Sequence, residues 1–257
     1  MNLHYQVDGQ GEAIILIHGL FGSADNLGLV ARALKDKYKV VSIDLRNHGR
    51  SPHSDSFTYR EMAADVLKVI EQCDIERFSL VGHSMGGKVA MAMTELAASR
   101  FNHLIVLDMA PVHYQVHRHQ NVFAGLQEVS KHNACNRKDA EAYLAQHIVE
   151  PGVRQFLLKS FAKTENGYDW RFNVDGLIAN YDTIMGWQEV PAFSGRTLFI
   201  KGQDSEYIQP EHRESIARQF PTAKAHMIAN TGHWLHAEKP ETVNRIILNF
   251  LQQPLDR

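Results

Sequence analysis

Ser84 stands between two glycines in Gly82-His83-Ser84-Met85-Gly86, after the apolar run Phe78-Ser79-Leu80-Val81 and before Gly87-Lys88-Val89-Ala90-Met91-Ala92-Met93. A short buried strand, a tight turn and a helix, in that order, present a serine hydroxyl at a strained apex. The two glycines suit a point where strand and helix pass too closely for a Cβ. Such a hydroxyl can attack a carbonyl, provided a base takes its proton and amide donors hold the developing oxyanion. The helix that follows aims its N-terminus at the site, which makes the Met85 N–H one expected donor.

Three further segments supply what that chemistry requires. In Ala13-Ile14-Ile15-Leu16-Ile17-His18-Gly19-Leu20-Phe21-Gly22-Ser23, an unbroken apolar run reads as a strand buried on both faces. It ends in a His-Gly turn that allows the next amide to face inward. Leu20 N–H is the expected second oxyanion donor, with Phe21 the alternative. In Ala229-Asn230-Thr231-Gly232-His233-Trp234, a Gly-His turn follows the last extended stretch. A histidine there is placed to take the serine proton and return it to a leaving group. The chain has 15 histidines; His233 is distinguished by its place after the last strand, and His236 reads as structural. An acid to orient the imidazole has two candidates, Asp108 after Leu104-Ile105-Val106-Leu107 and Asp204 after Leu198-Phe199-Ile200-Lys201-Gly202-Gln203. Both lie at carboxyl ends of predicted parallel strands and between the serine and the histidine in chain order. The residues alone leave both open.

The elements that must hold these groups alternate as βαβ units do. Strands are predicted at 13–17, 39–44, 78–81, 104–108, 196–201 and 223–228, and helices at 26–36, 59–73, 89–99 and 211–219. A last amphipathic helix opens at Pro240, with Val243, Ile246, Ile247, Phe250 and Leu251 at helical spacing. The expected fold class is therefore α/β, a mostly parallel sheet with helices on both faces. Residues 112–190 show no convincing strand, only helical stretches at 122–130, 139–148 and 153–161, bracketed by Pro111 and Pro191. They read as a helical cap inserted before the last two strands, with 1–111 and 191–257 forming the core. Phe156, Phe161, Trp170, Phe172, Tyr181 and Trp187 are expected to form the core of that cap.

Composition narrows the function classes. A chain of 257 residues with 44% hydrophobic and 22% charged residues is ordinary for a soluble globular protein. The net charge of −2 gives no electrostatic reason to expect a nucleic-acid or anionic-membrane partner. Within 112–190, eight Lys and Arg stand against nine Asp and Glu, so bulk charge does not call for an anionic substrate. Arg118, flanked by His117 and His119, is the local exception. His113 and His117 have the i, i+4 spacing of metal ligands, but no carboxylate or cysteine completes the set, and neither metal nor cofactor is expected. Cys73 and Cys135 fit no redox motif and read as free thiols in a reducing compartment. The first residues, Met1-Asn2-Leu3-His4-Tyr5-Gln6, lack the regions of a secretory leader, and no apolar run is long enough to span a bilayer. The expected location is the cytoplasm, and whether the chain forms a homo-oligomer stays open.

Taken together, H-G-L-F-G-S, D-x-R-N-H-G-x-S-P, G-H-S-M-G-G-K and G-H-W-x-H-A-E-K-P resemble the α/β-hydrolase superfamily across nearly the full chain. Within it, the sequence is similar to the bacterial YbfF-type esterases, whose cap segments match Arg154-Gln155-Phe156-Leu157-Leu158-Lys159-Ser160-Phe161 and Trp170-Arg171-Phe172-Asn173. The resemblance implies a serine hydrolase of small-molecule carboxylic esters or acyl-coenzyme-A thioesters, with Ser84 as nucleophile and His233 as base. It implies an acid after the sixth sheet strand, read here as Asp108. Much of the wider superfamily uses a later G-x-x-D turn, and Gly202-Gln203-Asp204 is one residue tighter than that pattern. Serine at the elbow disfavours dehalogenase and epoxide-hydrolase chemistry, which need a carboxylate nucleophile. A carbon–carbon bond hydrolase, a lyase and a slow-turnover ligand receptor remain rival expectations for the same scaffold.

Overall fold

A computed structural model describes residues 1–253 of the chain. Its central sheet has seven strands: β1 (Tyr5–Asp8), β2 (Ala13–Ile17), β3 (Lys39–Ile43), β4 (Phe78–His83), β5 (Phe101–Leu107), β8 (Thr197–Gly202) and β9 (Lys224–Ile228). They lie in the order β1-β3-β2-β4-β5-β8-β9. The edge strand β1 runs antiparallel to β3, and every other pairing is parallel. β1, half-buried at best, has no counterpart among the predicted strands because an edge strand lacks the long apolar run of a doubly covered one. The strand carrying Asp108 is β5, fifth in the chain and fifth across the sheet, where the resemblance implied a sixth.

Side-chain alternation splits the core between the two faces of the sheet. Ile14 and Leu16 of β2, with Val81, Ile105 and Leu107, pack against α1 (Gly28–Leu34) and the last helix, α11 (Pro240–Leu251). Ile15 and Ile17, with Leu80, Leu104 and Val106, pack on the opposite face against α2 (Tyr59–Gln72) and α3 (Met85–Ala97). Nearly all of these side chains are excluded from water, each contributing about 1.5–3 kcal/mol of burial free energy. α2 starts at a capping box, Thr58 accepting from the Glu61 N–H and Glu61 answering at the Thr58 N–H. The stretch predicted as one helix over 26–36 is a 3-10 turn, Ala24–Leu27, followed by α1.

Between β5 and β8 the chain makes an insertion of helices α4 (Gln120–Lys131), α5 (Arg137–Leu144), α6 (Pro151–Leu158), α7 (Val174–Ala179) and α8 (Tyr181–Met185). It is not wholly helical. β6 (Phe161–Thr164) and β7 (Gly167–Trp170) form an antiparallel hairpin, so the helix expected over 153–161 ends at Leu158. The apolar spacing of Val153, Phe156 and Leu157 continues into Phe161 by coincidence. A two-residue loop, Glu165-Asn166, closes the hairpin, and Gly167 opens β7 at φ +119°. After β8, α9 (Arg213–Gln219) leads to β9, and a short α10 (Leu235–Glu238) precedes α11.

Candidate active site

The loops after β2, β4, β5 and β9 all open at the carboxyl edge of the sheet, where parallel sheets expose strand ends and helix N-termini. Ser84 sits between β4 and α3 at φ 54°, ψ −123°, a conformation L-residues rarely adopt. Close packing enforces it. A Cβ on Gly82 would lie 2.3 Å from the Gly86 carbonyl oxygen, and one on Gly86 would lie 2.4 Å from those of Ile17 and His18. The Ser84 N–H donates to the Leu107 carbonyl at 3.0 Å, tying the elbow to β5.

His233 Nε2 lies 2.8 Å from Ser84 Oγ, and its Nδ1 lies 2.7 Å from Asp108 Oδ2. The carboxylate accepts only, so the proton belongs on Nδ1 and the Nε2 lone pair faces the hydroxyl. Asp108 is fully buried. It accepts from the Ser205 hydroxyl as well, and from the Gly202 N–H at 3.1 Å. The second candidate acid is elsewhere: Asp204 is exposed, and its backbone N–H bonds to the Thr231 carbonyl. Its place one residue before Ser205 sends its side chain to solvent, while the serine turns inward to Asp108.

The imidazole is framed by residues that the sequence reading missed or set aside. His83 Nε2–H donates to the His233 carbonyl at 2.9 Å, fixing the Gly-His turn. Tyr207 stacks on the His233 ring with centroids 3.9 Å apart. His236, buried in α10, packs edge-on against His83. Burial, reinforced by neighbouring His233 and Lys159, pushes His236 down to about 3. Burial likewise holds His83 far below the usual imidazole range, so both stay neutral beside His233. The backbone spacing of histidines around Ser84 and His233 was visible in sequence, but not their convergence from β4 and α10.

The amides expected to meet an oxyanion differ in their surroundings. Met85 opens α3 with its N–H lacking any acceptor among the described residues, and the N–H of Leu20, a residue that borders the cavity, lacks one too. The alternative donor is committed: Phe21 N–H donates to His48 Nε2 at 3.1 Å. On the other side of Leu20, the Gly19 carbonyl accepts from His18 Nδ1–H at 2.7 Å and from Gly22 N–H at 3.1 Å. Peptide planarity then turns the Leu20 N–H of that same unit the opposite way.

Above Ser84 lies a cavity of about 410 Å³, bounded by core residues and by the insertion. Val122, Ile148, Val153, Phe156 and Leu157 give it an apolar wall, while Arg118 and His119 stand at its polar side. Of the aromatics expected to fill the insertion's interior, Phe161, Trp170, Phe172 and Tyr181 are buried. Phe156 faces the cavity and packs against Trp234. Trp187 is half-buried and donates to Gln219 at 2.9 Å. Arg118 pairs with Glu206 across the seam between insertion and core. His113 and His117 do not share a helical face, because residues 111–119 are irregular. Burial pushes His119 down to about 4, and its Nδ1 lies 2.7 Å from the Tyr181 hydroxyl.

A family model described as the alpha/beta hydrolase fold matches residues 12–240. The chain is 46% identical over 238 residues to "Esterase YbfF" of Escherichia coli (strain K12), covering 93% of this chain and 92% of that protein. It is 36% identical over 248 residues to the "sn-1-specific diacylglycerol lipase ABHD11" of Mus musculus, covering 93% and 80%. A solved structure titled "Marine microorganism esterase" superposes with a TM-score of 0.93 at 37% identity, covering 97% of this chain and 99% of that one. With the strand order, the elbow and a match of this length in agreement, the chain belongs to the alpha/beta hydrolase fold family.

Proposed function

We propose that this chain is a serine hydrolase of carboxylic esters or acyl thioesters, working through an acyl-enzyme on Ser84. The observation that carries the reading is the unbroken contact from Ser84 Oγ to His233 at 2.8 Å and on to Asp108 at 2.7 Å, beneath a largely apolar cavity. The names of the similar proteins, esterase and lipase, support the same class.

In the first step His233 Nε2 takes the Ser84 proton as Oγ attacks the acyl carbon. The carbonyl oxygen becomes an oxyanion between the Leu20 and Met85 N–H groups. Each such donor is worth about 2.7–4 kcal/mol of barrier. Asp108 holds the imidazole in the tautomer that can accept, and stabilises the imidazolium once formed. The C–O or C–S bond then breaks, and the alcohol or thiol leaves with the proton from His233. Water, deprotonated by the same nitrogen, attacks the acyl-enzyme; the acyl C–Oγ bond then breaks, the imidazolium returns its proton to Ser84 Oγ, and the acid is freed. The insertion serves as a cap whose apolar wall receives the acyl chain and excludes water from the charged intermediates.

A panel of p-nitrophenyl esters and acyl-coenzyme-A thioesters of graded chain length, run on wild type and Ser84→Ala, tests the reading. Hydrolysis by wild type and none by Ser84→Ala is expected. Full activity in Ser84→Ala contradicts it.

A further inference from the structure

We infer that His48 is a positioning residue of the oxyanion site, fixing which amide of the loop after β2 faces Ser84. The inference rests on the hydrolase reading above and adds a residue to it that touches neither substrate nor Ser84.

Phe21 is held at φ 63°, in the left-handed region that a residue with a Cβ occupies only when its surroundings enforce it. On the core side the enforcing contact is its N–H, donated to His48 Nε2. His48 is fully buried, and its Nδ1–H donates to the Arg46 carbonyl at 2.9 Å, which leaves Nε2 unprotonated and able to accept. Burial, with His18 adding to it, pushes its pKa down to about 3, so the acceptor persists through neutral pH. The loop that carries His48 is itself anchored. Arg46 pairs with Asp65 at 2.7 Å, and Asp44 accepts from the Ala24 and Arg50 N–H groups at 2.7 and 2.9 Å.

On the other side, Phe21 reaches the insertion. Its carbonyl accepts from Ser160 Oγ at 3.2 Å, and its ring packs on Phe123, Phe172 and His119. Phe21 is thus a strained joint between core and insertion. Turning the Leu20–Phe21 peptide over would carry φ of Phe21 toward the ordinary extended region and relieve the strain. It would also set the Leu20 carbonyl against the side that His48 now occupies. An unprotonated imidazole nitrogen there accepts the N–H and repels a carbonyl oxygen, so His48 keeps the Phe21 N–H committed to itself, and Leu20 N–H, which belongs to the preceding peptide unit, is the amide of this loop left for the oxyanion.

The test compares His48→Phe, similar in bulk but without an acceptor, with His48→Gln, whose amide can accept from Phe21 and donate to Arg46. On p-nitrophenyl acetate, His48→Phe is expected to lose about tenfold or more in kcat with KM little changed, as for an interaction made only in the transition state. Inhibition by phenylboronic acid, which forms a tetrahedral adduct on the serine, should weaken by the same factor, and inhibition by acetate should not. His48→Gln should recover most of the loss. Wild-type kcat in His48→Phe overturns the inference, as does equal weakening of boronate and acetate. Should His48→Phe fail to fold, long-range ¹H–¹⁵N spectra of the wild type decide: a bare Nε2 on His48 supports the role, and a proton there sinks it. An inactive Ser84→Ala beside a fully active His48→Phe defeats this inference alone, whereas an active Ser84→Ala defeats the hydrolase reading beneath it.

Discussion

The sheet edge and the insertion meet at the same cavity but are built on different terms. Ser84, His233 and Asp108 each follow the end of a parallel strand, and each is fixed by backbone contacts: the elbow to Leu107, the His233 carbonyl to His83, the Asp108 carboxylate to the Gly202 amide. The insertion contributes side chains to the wall, Val122 from α4 and Val153, Phe156 and Leu157 from α6. The sheet holds atoms to within hydrogen-bond tolerance. The insertion holds a surface, and a surface tolerates replacement more readily than a hydrogen-bonded relay. Changes at the sheet edge should therefore act on kcat, and changes in the insertion on which acyl group is preferred.

The contrast predicts a descending series. Asp108→Asn should lower kcat by about 10⁴-fold, by favouring the wrong imidazole tautomer, with the thermal transition showing a folded protein. Phe156→Ala should cut kcat/KM for long acyl esters by about tenfold relative to acetate esters, since pocket contacts discriminate at this scale. An equal loss across the panel of chain lengths would erase the distinction between relay and wall. Ser205→Ala should lower unfolding free energy in denaturant by about 1–3 kcal/mol, because it strips a donor from a buried carboxylate.

The seam between the two regions gives a prediction in pH. Lys88, on α3, is almost fully buried and donates to the Met185 and Gly186 carbonyls at 3.0 and 2.7 Å, where the insertion returns to the core. Burial pulls its pKa down to about 7. Between that value and the ordinary lysine range the unfolded chain binds more protons than the folded one, so stability rises with pH. From pH 7 to 9, wild type should gain about 2 kcal/mol of unfolding free energy relative to Lys88→Met. Denaturant midpoints at the two pH values measure it, and a constant difference would contradict it.

The two regions were also unequally legible in the sequence. The parallel strands announce themselves because burial on both faces leaves unbroken runs such as Ile14-Ile15-Leu16-Ile17. Gly82 and Gly86 flag Ser84 because their positions forbid a Cβ. The insertion lacks such constraints: amphipathic helical spacing ran on through Phe161 and concealed the hairpin, which turns at Glu165-Asn166. Between Asp108 and Asp204 the order of residues could not choose. The structure sets Asp108 2.7 Å from His233 Nδ1 and leaves Asp204 exposed. His48 was hidden for a different reason. Its contact with Phe21 joins residues 27 apart in sequence, and nothing local in Asn47-His48-Gly49 reveals it.

Hydrolysis by this route requires a covalent bond between Ser84 Oγ and the acyl carbon. Acid-quenching the enzyme within its first turnovers of p-nitrophenyl acetate, followed by peptide mass spectrometry, looks for that bond. An acetyl group on the peptide bearing Ser84, absent from Ser84→Ala, is the expected result. Undiminished hydrolysis by Ser84→Ala, with no acetylated peptide in the wild type, would contradict it.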